Sequence, residues 1–168
     1  MKNLLLTSFA CLFAAAAASG ADLAFLKELV EIPSSSIDYP QVNRAMRAMK
    51  AYLEKRGIIC TIETDEQGRE LLFAATKPGK VQNYILSAHL DVVPAAYEGQ
   101  YTFKNENGRL SGRGVGDDKG GALAVAQALA ALAGKDVSVG CIFGADEELA
   151  ALRRPGWSKR WDTVRVGW

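Results

Sequence analysis

Three short clusters hold most of the residues in this chain that can do chemistry, and each stands where a strand-like run ends. They are Ser87-Ala88-His89-Leu90-Asp91, the glycine-rich stretch 112–121 with Asp117-Asp118-Lys119 inside it, and Gly144-Ala145-Asp146-Glu147-Glu148. Histidine, aspartate and glutamate gathered from strand ends are how α/β proteins build hydrolytic metal sites. His89 is the sole histidine of the sequence. Asp91 lies two positions on, so in an extended segment both side chains share a face, and the carboxylate can fix the tautomer and orientation of the imidazole. Two neighbouring glutamates at a turn can point apart. One can then ligate a metal while the other faces water as a general base.

The glycine-rich cluster precedes an Ala/Leu-rich helical run over 119–133, which raises the question of a phosphate-cradling loop. The spacing rejects it. Asp117 stands where a dinucleotide fingerprint needs its third glycine, and Lys119 is followed by glycine where a P-loop needs serine or threonine. Two aspartates at that point also favour a cation over an anion. Each cluster alone has a simpler reading: an ordinary strand-end histidine, a helix-capping aspartate, a solvated acidic turn. The weight lies in their occurring together.

The elements that must position these residues follow from periodicity and turn chemistry. Asp22 can cap a helix with Leu23, Leu26 and Val30 on one face, ended by Ile32-Pro33-Ser34-Ser35-Ser36. A second helix is predicted over 40–56, where Val42, Ala45, Met46, Met49, Tyr52 and Leu53 recur at helical spacing before Gly57. Runs 58–64 and 70–76 are rich in β-formers and flank Asp65-Glu66-Gln67-Gly68, which suits a hairpin. A third strand over 83–88, apolar enough to be central, delivers His89, and a fourth over 137–143 delivers the acidic turn. Alternation of this kind predicts an α/β layered domain with a central, mostly parallel mixed sheet flanked by helices.

Length and composition fit that expectation. The 168 residues are 49% hydrophobic and 23% charged, as in ordinary globular domains, and a net charge of +1 gives no general attraction to nucleic acid or membrane. The balance is uneven, because residues 149–168 hold five Lys or Arg against Asp162 alone, leaving 15 bases and 18 acids elsewhere. Cys11, Cys60 and Cys141 lack metal-ligand spacing; buried free thiols are the simpler reading, and a Cys60–Cys141 disulfide stays open. Residues 1–21 run from Met1-Lys2-Asn3 through an apolar stretch to small residues, the order of a secretory signal peptide, with a buried first helix as the competing reading. A secreted or periplasmic location is therefore expected.

In order and spacing, Ser-Ala-His-Leu-Asp-Val-Val-Pro, Gly-Arg-Gly-Val-Gly-Asp-Asp-Lys-Gly-Gly and Ala-Asp-Glu-Glu resemble the dinuclear zinc peptidases and deacylases. That family includes carnosinase-like and Xaa-His dipeptidases, carboxypeptidases, aminoacylase, acetylornithine deacetylase and succinyl-diaminopimelate desuccinylase. The resemblance covers residues 22–148, and the Asp117-Asp118-Lys119-Gly120 form looks most like the dipeptidase branch. It implies that His89 binds one metal, Asp117 bridges both and Glu148 binds the second, while Asp91 orients His89 and Glu147 is the general base. It further implies two Zn2+ per complete site, with Co2+ or Mn2+ as substitutes, a small peptide or N-acyl amino acid substrate, and a cis peptide after Asp117. No nucleic-acid partner and no membrane anchor after signal cleavage are expected; the family includes dimers, which leaves a dimer open here.

The resemblance also implies two ligands that the sequence does not supply, a later carboxylate and a second histidine. Residues 22–148 are accordingly expected to be the N-terminal part of a catalytic domain, truncated and inactive as it stands. Past Glu148 the family turns through glycines into a helix, whereas this chain reads Leu149-Ala150-Ala151-Leu152-Arg153-Arg154-Pro155-Gly156-Trp157, with all three tryptophans in its last twelve residues. A shifted reading frame over 149–168 is the expectation, and a basic amphipathic tail the alternative. The second function class is a noncatalytic metal-binding or interaction domain that keeps the half-fold.

Overall fold

The computed structural model describes residues 20–152, with side chains to Leu149. The expected signal segment up to residue 19, Cys11 and most of the tail lie outside the described residues. Helix α1 spans Gly20–Glu31 and α2 spans Tyr39–Glu54. Asp38 caps α2, accepting from Gln41 N–H at 3.3 Å, and Pro40 sits in the first turn where no donor is needed. The periodic face of α2 is buried as expected, and Met46, Met49 and Leu53 are wholly shielded, each contributing roughly 1.5–3 kcal/mol relative to exposure. Asp22 does not cap α1, because that helix begins two residues earlier. Its carboxylate instead accepts from the Tyr52 hydroxyl at 2.7 Å, beneath a Phe25–Tyr52 ring stack at 4.2 Å.

Strands β1 (Ile59–Thr64) and β2 (Glu70–Ala75) form the expected hairpin. Asp65 closes its turn by accepting from the N–H groups of Gln67 and Arg69, both at 2.9 Å, and Gly68 takes the positive φ of +79° that a side chain resists. Strand β3 is Tyr84–His89, and a small hairpin follows from β4 (Lys104–Glu106) and β5 (Arg109–Ser111). That hairpin was not anticipated, although Asn107-Gly108 carries its signal and both residues take positive φ. Helix α3 is Lys119–Ala131, β6 is Val139–Gly144, and a 3-10 turn runs Glu147–Leu152.

The main sheet has the order β1-β2-β6-β3. It is the mixed, helix-flanked sheet expected, but of its three pairings only β3–β6 is parallel. The hairpin is the cause: once β1 and β2 run antiparallel and β2 lies beside β6, only the crossover through α3 leaves two strands parallel. Strand β3 was expected to be central. It is an edge among the described strands, which explains why Tyr84 and Leu86 are exposed. Alternate residues Leu72, Ala74, Cys141 and Phe143 join the helix-packed core, while Leu71, Phe73 and Ile142 alternate to the other face.

Cys60 pairs across to Ala74 and Ala74 to Cys141, which places the two cysteines two strand spacings, roughly 10 Å, apart. Both are free, and no disulfide can close over that distance. Among the described residues no helix is long and apolar enough to cross a membrane.

Candidate metal centre

The parallel β3–β6 pair brings two of the three clusters together, since His89 lies opposite Gly144 and both strands release their chains at the same end. The start of α3 supplies the third. His89 Nε2 lies 3.0 Å from Asp117 Oδ1 and 3.7 Å from Glu147 Oε2. On the other side of the ring, Nδ1 is 3.0 Å from the Asp91 carbonyl oxygen and 3.3 Å from Asp91 Oδ1. An Nδ1 proton donated to Asp91 leaves Nε2 to face Asp117.

The Asp117–Asp118 peptide is cis. Asp118 occupies the capping position of α3, yet its side chain makes no capping bond; Oδ2 accepts from the His89 backbone N–H at 3.3 Å. This requires Gly121, because a β-carbon there would occupy the space of the Asp118 carboxylate.

The electrostatics are those of crowded acids around one imidazole. Burial opposes protonation of His89, but the hydrogen bond and charge of Asp91, with Asp117 added, outweigh it and raise the ring to about 9. A cation at Nε2 must therefore displace a proton. Burial, then the charge of Asp117, raises Glu148, and burial raises Asp118. Burial also raises Asp146, against the pull of Arg69, whose guanidinium binds Asp146 at 2.9 Å and Asp65 at 2.6 Å and so ties the acidic turn to the β1–β2 hairpin.

His89, Asp91, Asp117 and Glu147 thus meet, and His89 and Glu147 line an open cleft of about 430 Å³ together with Asp118, Leu71 and Ile142. Glu148 is anchored there through its backbone N–H, which donates to Asp91 Oδ2 at 3.1 Å, while its carboxylate makes no ion pair with His89. Imidazole and carboxylate aimed at one point, with a carboxylate behind the ring, suit a zinc-like cation in chemistry. Among the described residues, however, no three His, Cys, Asp or Glu side chains stand close enough to hold a metal, so they fit part of a coordination sphere and not a closed one.

Lys119 was not expected to matter. It is wholly buried, with Nζ donating to the Ile32 carbonyl at 2.8 Å just past the end of α1. Burial lowers its ammonium to about 7. Unfolding returns it to about 10.4, so between about pH 7 and 10 the unfolded chain holds the extra proton and stability gains as pH rises. His89 acts in the opposite sense, its contribution being complete below about 6.5 and lost as pH rises through about 9. The difference between wild type and Lys119→Met isolates the lysine. In urea unfolding at pH 7 and about 9.5, wild type is expected to gain stability relative to the variant, and a pH-independent difference would refute it.

Residues 85–160 match the family described as Peptidase family M20/M25/M40. No curated protein sequence matches the chain at a significant level. The fold is similar to that of human carnosine dipeptidase 1 (24% identity, TM-score 0.64, 76% of this chain and 32% of that one). It is also similar to an M20 family metallo-carboxypeptidase from Sulfolobus solfataricus (24%, 0.67, 77% and 32%) and to the di-peptidase Dug1p from Saccharomyces cerevisiae (17%, 0.56, 76% and 32%). The matched region thus spans about a third of the length of these structures.

Proposed function

We propose, from the match of residues 85–160 to the M20/M25/M40 peptidases, that this chain supplies the N-terminal part of a two-zinc, dipeptidase-like centre, exported from the cytoplasm and directed at small peptides or N-acyl amino acids. The observation that carries this reading is His89 Nε2 facing Asp117 Oδ1 at 3.0 Å, with Asp91 behind the ring and Glu147 in front. His89 and Asp117 would hold one cation, and Asp117 and Glu148 the other. When bound, such cations polarise a scissile carbonyl and acidify water. Asp91 keeps Nε2 turned toward Asp117. Glu147, with a side chain 60% exposed at the cleft, takes a proton from the attacking water and returns it to the departing amine.

The partial donor set has a direct consequence. The chain alone is expected to keep less than one zinc per molecule after dialysis at neutral pH and to hydrolyse nothing in a panel of dipeptides and N-acyl amino acids with added Zn2+, Co2+ or Mn2+. Its residual weak zinc binding should disappear in His89→Ala. Zinc binding indifferent to His89→Ala would remove the metal-centre reading. Two tightly held metals with turnover would show instead that the chain, or a dimer of it, completes its own site.

A further inference from the structure

We propose that Ser36 is a positioning residue for this centre, acting on His89 and on the start of the acidic turn through the carboxylate of Asp91; the inference rests on the metal-centre reading above. Asp91 is wholly buried, and its two oxygens face four donors. Oδ2 accepts from Ser36 Oγ–H at 2.8 Å and from the Glu148 N–H at 3.1 Å. Oδ1 accepts from the Glu147 N–H at 3.2 Å and lies 3.3 Å from His89 Nδ1, which also has the Asp91 carbonyl oxygen at 3.0 Å. A carboxylate offers about four lone-pair sites, so this one is saturated and each donor fixes the direction left to the others. The same group thereby sets the imidazole and the backbone from which the Glu147 and Glu148 side chains spring.

Ser36 is the one donor of the four that belongs to neither of the clusters it links. Its hydroxyl proton has two acceptors, Asp91 Oδ2 at 2.8 Å and the Val92 carbonyl at 3.1 Å, and the charged, nearer one wins. The backbone around it is pinned independently. Ser36 N–H donates to the Val92 carbonyl at 3.0 Å and Val92 N–H to the Ser34 carbonyl at 2.9 Å, with Ser35 bridging Val92 in parallel. Truncating the Ser36 side chain therefore removes the hydroxyl and leaves its backbone segment in place. Without it, Asp91 Oδ2 keeps only the Glu148 N–H, and the carboxylate is held by the backbone N–H groups of the acidic turn and the His89 ring alone, with one of its four directions no longer fixed.

Ser34 provides the control. It is equally buried, and its hydroxyl donates to the Leu90 carbonyl at 2.7 Å without touching Asp91. A purely structural role predicts the same outcome for both serines, whereas a positioning role singles out Ser36.

The test compares wild type, Ser36→Ala and Ser34→Ala in the full chain, folded to the same extent by circular dichroism. One readout is the Nδ1 proton of the single imidazole in metal-free 1H–15N spectra; the other is zinc affinity against a competing chelator. Ser36→Ala is expected to broaden or erase the Nδ1 proton signal and to weaken zinc about tenfold or more, while Ser34→Ala keeps both. Ser36→Cys, which fills the same space with a weak donor, should show the same loss and serves if the alanine variant does not fold. Unchanged signals in Ser36→Ala, or equal losses in both serine variants, would overturn the proposal. Wild-type zinc binding that ignores His89→Ala would instead defeat the metal-centre reading, and the imidazole signal would still decide what Ser36 does to Asp91.

Discussion

Asp117→Ala is expected to reduce zinc binding by this chain at least ~10²-fold, whereas Glu147→Gln should leave it within about twofold of wild type, because only the first removes a donor aimed at Nε2. Asp117 Oδ1 is the carboxylate oxygen nearest the ring nitrogen, at 3.0 Å against 3.7 Å for Glu147. Removing Asp117 also relieves the charge that helps to raise Glu148, yet a more acidic Glu148 does not stand in, since its carboxylate forms no ion pair with the imidazole, unlike those of Asp117 and Glu147. Wherever turnover can be measured, in this chain or in an assembly that completes the site, Glu147→Gln should lower kcat by ~10²–10⁴-fold with metal retained. Isothermal titration with Zn2+ separates the two variants. Zinc retained by Asp117→Ala would remove Asp117 from the site, and turnover retained by Glu147→Gln would reverse the roles given to the two glutamates.

Gly120→Ala is expected to destabilise the fold by roughly 1–3 kcal/mol or more, while Gly116→Ala is neutral or slightly stabilising. Gly116 lies in the loop before α3 and Gly120, four positions on, is the second residue of the helix, and their surroundings differ completely. A β-carbon on Gly120 would collide with the Val115 carbonyl oxygen, a backbone atom with no freedom to turn aside. One on Gly116 meets nothing within 4 Å. Urea midpoints decide this. Equal midpoints for Gly120→Ala and wild type would mean that the turn into α3 relaxes without cost, and that Asp117 and Asp118 are held less firmly than their contacts imply.

Much of this was legible from local pattern. The face of α2, the β1–β2 hairpin and the strands before the first and third clusters were readable because helical and strand periods, and the Asp65 to Gly68 turn, are properties of neighbouring residues. Partnerships across the chain were not. Ser34-Ser35-Ser36 reads as the end of a helix, and nothing near it announces that Ser36 will meet Asp91 55 residues later. Arg69 reads as a hairpin residue, although it holds Asp146 77 positions away. Lys119 reads as a solvent-facing base beside two aspartates, and only the packing of α3 against the end of α1 buries it. Likewise, apolar content placed β3 at the centre of the sheet, but content reports which side chains avoid water and not which strands stand on either side.

The saturation of Asp91 also bears on time. Its bonds to Ser36, Glu147 and Glu148 bridge 55 to 57 residues, and His89 reaches Asp117 across 28. Contacts this distant in sequence pay for loop closure before they return anything, so they form after the helices and the β1–β2 hairpin, whose contacts are local. The centre is accordingly a late product of folding. Until it closes, His89 has only Asp91 nearby in the chain, and an ion captured then would take as ligand the carboxylate whose finished role is to stand behind the ring.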